Sequence, residues 1–105
     1  MASLNKCHFI GRLVADPERK YLADETAVAS FRIAVDRQFA KDKTDFIKVT
    51  AWRKLAEICD EYLKKGSLVY VEGSLRIEEY EIDGQKRWKT EINADNVQFL
   101  ERKKD

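Results

Sequence analysis

The chain has 105 residues, enough for one modest hydrophobic core and too few for a second. With 44% hydrophobic and 37% charged residues it reads as a globular domain and not as a disordered segment. Its 20 Lys and Arg stand against 19 Asp and Glu, a formal net charge of +1, so bulk attraction to a polyanion is excluded and any nucleic-acid binding must use a local basic surface. No run is long and apolar enough to span a bilayer, and the start, MASLNKCHF, lacks a secretory apolar stretch, so a cytoplasmic protein with no membrane partner is expected.

The first predicted strand covers about Leu4 to Val14 and is apolar on both faces, with Cys7, Phe9 and Leu13 on one side and Ile10 and Val14 on the other. A strand of this kind needs a second partner, so its outer side is expected to meet another subunit. Gly11 suits the sharp bend of a barrel strand. Asp16-Pro17-Glu18 forms a turn, with Pro17 fixing φ. His8 is the only histidine, and a packed or interface role outweighs a catalytic one. Cys7 and Cys59 lie far apart with no metal-ligand spacing around either; both are expected to be reduced core residues, with no metal and no cofactor.

The second strand runs from about Thr26 to Asp36, with Ala29, Phe31, Ile33 and Val35 inward and Ser30, Arg32 and Ala34 outward. A polar hairpin tip follows, Arg37 to Thr44, in which Phe39 sits among Arg37, Lys41 and Lys43. An apolar ring there either folds back onto its own hairpin or stacks on a nucleotide. From Phe46 to Trp52 the period is two, so Phe46, Lys48, Thr50 and Trp52 share one face and Ile47, Val49 and Ala51 the other. The first of these faces is a poor dry core and a good surface for stacking flat rings and holding phosphates.

After Trp52 the period becomes helical, with Leu55, Ile58, Cys59, Tyr62 and Leu63 on the apolar side. Lys64 and Lys65 are expected in the last turn, with Gly66 as the cap. A strand then begins at Ser67, with Val69 and Val71 sharing a face, a bulge or close approach at Gly73, and Leu75 and Ile77 continuing the apolar side. Tyr80 to Trp88 reads as a hairpin around Asp83-Gly84, with Lys86, Arg87 and Lys89 making the return strand basic. Trp88 shares a face with Lys86 and Thr90; packing on the hairpin is favoured for it, with extra base stacking as the alternative. Ile92, Ala94, Val97 and Phe99 are core candidates in the last strand, with a change of phase near Asp95 and Asn96.

The run WRKLAEICDEYLKKGSLVYVEGSLR, the Asp16-Pro17-Glu18-Arg19-Lys20-Tyr21 turn and the Ala-Val-Ala-x-Phe-x-x-Ala-Val segment from Ala27 resemble the bacterial single-stranded DNA-binding protein family over roughly residues 3 to 100. The resemblance implies a mainly β, five-stranded oligonucleotide-binding (OB-fold) Greek-key barrel, one domain over residues 1–105, with a helix between strands three and four. It implies base stacking by Phe39, Phe46, Trp52 and Tyr80, which stand where the family has stacking aromatics. Arg37, Lys41, Lys43, Lys48, Arg76, Lys86 and Arg87 lie near those rings in the sequence and are the candidates for phosphate contacts. Sequence-neutral coating of single-stranded DNA in replication, recombination and repair, on the nucleoid, is the function this implies.

The family works as a homotetramer built on first-strand pairing, which places Lys6, Cys7, His8, Phe9 and Ile10 at an interface. Ile47 stands where the family often has a histidine that affects assembly, so a dimer is the alternative. Lys20 replaces an arginine, keeping the charge and losing the planar fork. Family members usually carry a flexible linker and an acidic tip that recruits replication and repair proteins; no acidic tail is present before Asp105, and those partners are expected only where such a tail exists. A tail-less primosomal accessory protein of the same fold is the nearest competing reading. An enzyme such as a nuclease is the alternative of a different class, and the sequence offers it no phosphate-cradling Gly-rich loop, no metal-ligand cluster and no Ser or Cys nucleophile placed with a histidine base. A purely structural subunit would bury its exposed rings between subunits.

Overall fold

The computed structural model describes residues 2–101, and Lys41 through its backbone alone. Its elements are β1 (Cys7–Leu13), β2 (Glu18–Tyr21), β3 (Ala27–Arg37), β4 (Ala40–Trp52), α1 (Arg53–Tyr62), β5 (Leu68–Ile82) and β6 (Gln85–Phe99). The strand order is β1-β5-β6-β4-β3-β2, and an additional β1–β3 pairing closes β1, β3, β4, β5 and β6 into a barrel. The five barrel strands and the helix are those expected, with the helix between β4 and β5 once the short β2 is counted. Sequence reading placed only a turn near β2. Its four residues are all exposed and carry no apolar alternation, and what makes them a strand is pairing with β3 from Glu18↔Ser30 to Tyr21↔Ala27.

The core follows the period-two pattern. Leu13, Ala29, Phe31, Ile33, Val49, Ala51, Val69, Val71, Ile92 and Ala94 point into the barrel, and Ala56, Cys59 and Leu63 of the helix segment pack against them. Each large aliphatic side chain buried in this way contributes about 1.5–3 kcal/mol. Burial also pushes the Cys59 thiol up to about 11. Both cysteines are free.

Two glycines sit where backbones nearly touch. β1 pairs with β5 through Cys7–Arg12 and with β3 at Arg12 and Leu13, so it changes neighbours at a barrel corner. A Cβ on Gly11 would stand 2.6 Å from the Ala34 carbonyl oxygen. Gly73 marks the bulge that its position in the sequence predicts. There Glu72 pairs with Asn96 and Gly73 with Ala94, so Asp95 is left unpaired, and a Cβ on Gly73 would overlap the Asn93 carbonyl. The skipped residue is the change of phase expected near Asp95.

The end of the helix differs from expectation. Leu63 is already extended and turns into the core, so α1 stops at Tyr62 and no basic residue lies in its last turn. Gly66, at φ 91, belongs instead to a turn that donates its amide to the Leu13 carbonyl, while the Lys65 amide donates to Asp16. Tyr62 is exposed beside Phe99, and the smaller Ala56 takes the buried place. Phe99, the last residue of β6 and still paired with Val69, is itself exposed. The loop before β3 is a tight reversal, with the Thr26 amide donating to Asp24 and Glu25 at φ 67. No helix among the described residues is long and apolar enough to cross a membrane.

Candidate nucleic-acid interface

The outer face of β4 and its neighbours forms a set of cross-strand rows fixed by register. Trp52 lies opposite Val28, Thr50 opposite Ser30, Lys48 opposite Arg32 and Phe46 opposite Ala34. On the other side Thr50 aligns with Asn93, which pairs with Ser74, and the next outward pair is Glu91 with Arg76. Phe46 and Trp52 are therefore separated by about 20 Å of strand. Between them runs a row of Arg32, Lys48, Glu91 and Arg76.

The rings are presented to solvent. Phe46 is 61% exposed and Trp52 39%, although large aromatics of this size are ordinarily buried. Thr50 lies between them but is covered, and its hydroxyl has no hydrogen-bond partner among the described residues. Trp52 also walls a shallow cleft of about 430 Å³ with Arg76, Glu78, Glu91 and Asn93. Phe39 is 94% exposed in the two-residue turn between β3 and β4, so it does not fold back on its hairpin.

The β5–β6 hairpin extends past the barrel and turns at Asp83-Gly84, both with positive φ, as a two-residue hairpin turn requires. Alternation divides it into two faces. Arg76, Glu78 and Tyr80, with Glu91, Lys89 and Arg87 opposite them, continue the outer face of the barrel. Ile77, Glu79 and Glu81, with Thr90, Trp88 and Lys86 opposite them, continue the core face beyond the point where the core ends. Tyr80, Arg76 and Arg87 thus join Trp52 and Lys48, whereas Lys86 and Trp88 point away from them.

That geometry sets Trp88 and Lys86 apart from the other candidates. Trp88 is not buried: it is 61% exposed on the hairpin. Lys86 belongs to the acidic face, where it pairs with Glu79 at 3.5 Å. Other expected phosphate ligands already hold carboxylates. Arg37 forks onto Asp45 at 3.0–3.3 Å, an arrangement that raises the guanidinium pKa, and Lys48 lies 3.5 Å from Glu91. Lys43 is exposed, four positions after Phe39, and the side chain of Lys41 lies outside the described residues. Sequence reasoning passed over Arg32 and Glu91. Alternation alone turns Arg32 outward, but only the β3–β4 register reveals that it faces Lys48.

The residues assigned to an oligomer interface also divide. Cys7, Phe9 and Ile47 pack against the barrel's own core. Lys6, His8 and Ile10 are exposed. His8 Nδ1 lies 2.6 Å from the Tyr70 hydroxyl, which donates to Glu72 at 3.1 Å, and Lys6 meets the same carboxylate at 3.1 Å. These contacts, Lys6 foremost, hold the Glu72 carboxyl below its ordinary range.

A closed five-strand barrel with a helix plugging one end, and with rings and cations on one outer face, defines an oligonucleotide-binding barrel protein. The description "Single-strand binding protein family" fits residues 4–100, and the chain belongs to that family. The chain is 46% identical over 105 residues to the single-stranded DNA-binding protein of Caldanaerobacter subterraneus subsp. tengcongensis, covering 95% of this chain and 70% of that one. It is 47% identical over 103 residues to single-stranded DNA-binding protein 3 of Clostridium acetobutylicum, covering 93% and 72%. Against single-stranded DNA-binding protein A of Bacillus subtilis the identity is 44% over 105 residues, covering 95% and 61%. Membership in a family of binding proteins sets the nuclease reading aside.

Proposed function

We propose that the protein binds single-stranded DNA without sequence preference and protects it during replication, recombination and repair. The carrying observation is that Phe46 and Trp52 stand exposed on one face with the cationic row of Arg32, Lys48 and Arg76 between them. Bases stack on Trp52, Phe46, Tyr80 and Phe39, each worth ~1–3 kcal/mol and indifferent to base identity because every base has a π-face. Lys48, Arg76, Arg87 and Lys43, together with Arg32, lie along the backbone's path. Arg37 contributes only after releasing Asp45. Trp88 and Lys86 sit off this path.

The barrel acts as a homo-oligomer, a tetramer in the full assembly with a dimer as its first step, through the exposed side of β1 that carries His8 and Ile10, with Lys6 just before it. It works in the cytoplasm on the nucleoid, and replication and repair proteins would join through an acidic tail where the whole protein carries one. The test is a titration with oligo-dT at low and high salt, following tryptophan emission, with duplex DNA of equal length as control. Quenching by the single strand alone, retained in Trp88→Phe and lost in Trp52→Phe, is expected. Equal quenching by duplex, or none by either, would overturn the proposal.

A further inference from the structure

The cationic row contains one carboxylate that the binding function has no evident use for. Arg32 and Lys48 lie directly opposite each other across β3 and β4, and like charges so placed repel. Glu91, on the far side of Lys48, relieves part of this repulsion through a 3.5 Å contact with Lys48 Nζ, and it is also directly opposite Arg76. Its side chain is the least exposed acid of any ion pair among the described residues, at 17%, whereas Lys48 is 42% exposed. A carboxylate held low between cations, with their outer surfaces left open, occupies the place of an anion arriving from solvent.

We infer that Glu91 is an internal stand-in for a nucleic-acid phosphate: it holds Lys48 in place in the free protein and must yield it to the DNA backbone on binding. The inference rests on the single-strand reading given above and deepens it. Its consequence is a built-in limit on affinity. Part of the attraction between Lys48 and a phosphate is spent on releasing Glu91, and fewer counterions are released than the number of lysines and arginines in the row suggests. A protein that coats a strand and must later be removed gains from such a limit.

The test uses labelled oligo-dT and fluorescence anisotropy, comparing the unmodified protein, Glu91→Gln and Glu57→Gln. Glu57 is exposed on the helix, so its replacement changes net charge equally without touching the row. Glu91→Gln is expected to bind several-fold more tightly at low salt, with the slope of log affinity against log salt steeper by about 0.7, the value of one additional phosphate contact on a single strand. That steeper slope makes a rise from about 50 to about 200 mM salt cost about 2.6-fold more affinity in the variant than in the unmodified protein. Lys48→Ala should flatten the slope more in the Glu91→Gln background than alone, a coupling that a general loss of stability would not produce. Unchanged or weaker binding by Glu91→Gln, or an equal gain in Glu57→Gln, would overturn the inference. Absence of binding by the unmodified protein would instead overturn the functional reading beneath it.

Discussion

Trp52 and Phe46 differ from the apolar residues between them on β4, Ile47, Val49 and Ala51, in the parity of their positions. Val49 and Ala51, on the alternate phase, are fully buried, while the two aromatics lie outward on the same strand. Removing an outward ring costs little packing and takes away a stacking surface worth ~1–3 kcal/mol per base. Trp52→Ala and Phe46→Ala should therefore weaken oligo-dT binding about fivefold or more, with the larger loss for Trp52, and lower the thermal midpoint by much less than a core truncation. Paired titration and thermal unfolding measure this. Losses of fold and binding in proportion would return both rings to the core. The alternation that makes this prediction was legible in the sequence, because one strand's parity needs no knowledge of its neighbours. The partners of Lys48 were not legible: Arg32 and Glu91 reach it from β3 and β6, sixteen positions before and forty-three after, by a register that no local pattern encodes.

At the scale of the element, the β5–β6 hairpin decides which side chains reach the binding face. The phase of its β6 arm is set opposite Gly73, where the bulge drops Asp95 from the ladder and keeps Glu91 and Arg87 on the outer side, facing Arg76 and Tyr80. The bulge itself was readable from a glycine interrupting an apolar alternation, as was the Asp83-Gly84 turn. What escaped was the separation of the two hairpin faces, since the basic run Lys86-Arg87 looks continuous in sequence and is divided by the pleat. The end of α1 escaped for a related reason: Leu63 leaves the helix because a core position lies within its reach, and that position is made by strands far away. Gly73→Ala should then act twice. Overlap with the Asn93 carbonyl should cost ~1–3 kcal/mol, roughly 4–8 °C in midpoint per kcal/mol for a chain of this size. Oligo-dT affinity should fall even at temperatures where the variant is folded, because Arg76 and Tyr80 lose their alignment with Lys48. An unchanged midpoint measured by circular dichroism would contradict the close backbone approach.

At the scale of the whole molecule, a Cα radius of gyration of 15.1 Å exceeds the ~13 Å of a compact chain of about 100 residues, as a barrel with a projecting arm should. Among the described residues, the first half of β1 also has an unpaired edge. β1 pairs with β5 along Cys7–Arg12, yet it meets β3 only at Arg12 and Leu13. The Leu13 amide bonds toward the β5 side and the Val14 amide toward β3, so by alternation His8 and Ile10 aim their peptide groups at the open edge. An open edge bearing an exposed isoleucine is a template for another strand, and a second copy aligned antiparallel would bring the same residues together about a two-fold axis. A lysine at such a position is how natural edges discourage pairing. Ile10→Lys should accordingly lower the mass measured by light scattering at micromolar concentration, with the barrel still folded. Because β4 lies across the barrel from this edge, a short oligo-dT that fills one face should bind Ile10→Lys as it binds the unmodified chain. A long oligo-dT, held by several barrels at once, should bind the variant much more weakly, since linked sites gain by effective concentration and not by new contacts. An unaltered mass would move the assembly contact away from β1, and loss of short-strand binding would show that the two surfaces are not independent.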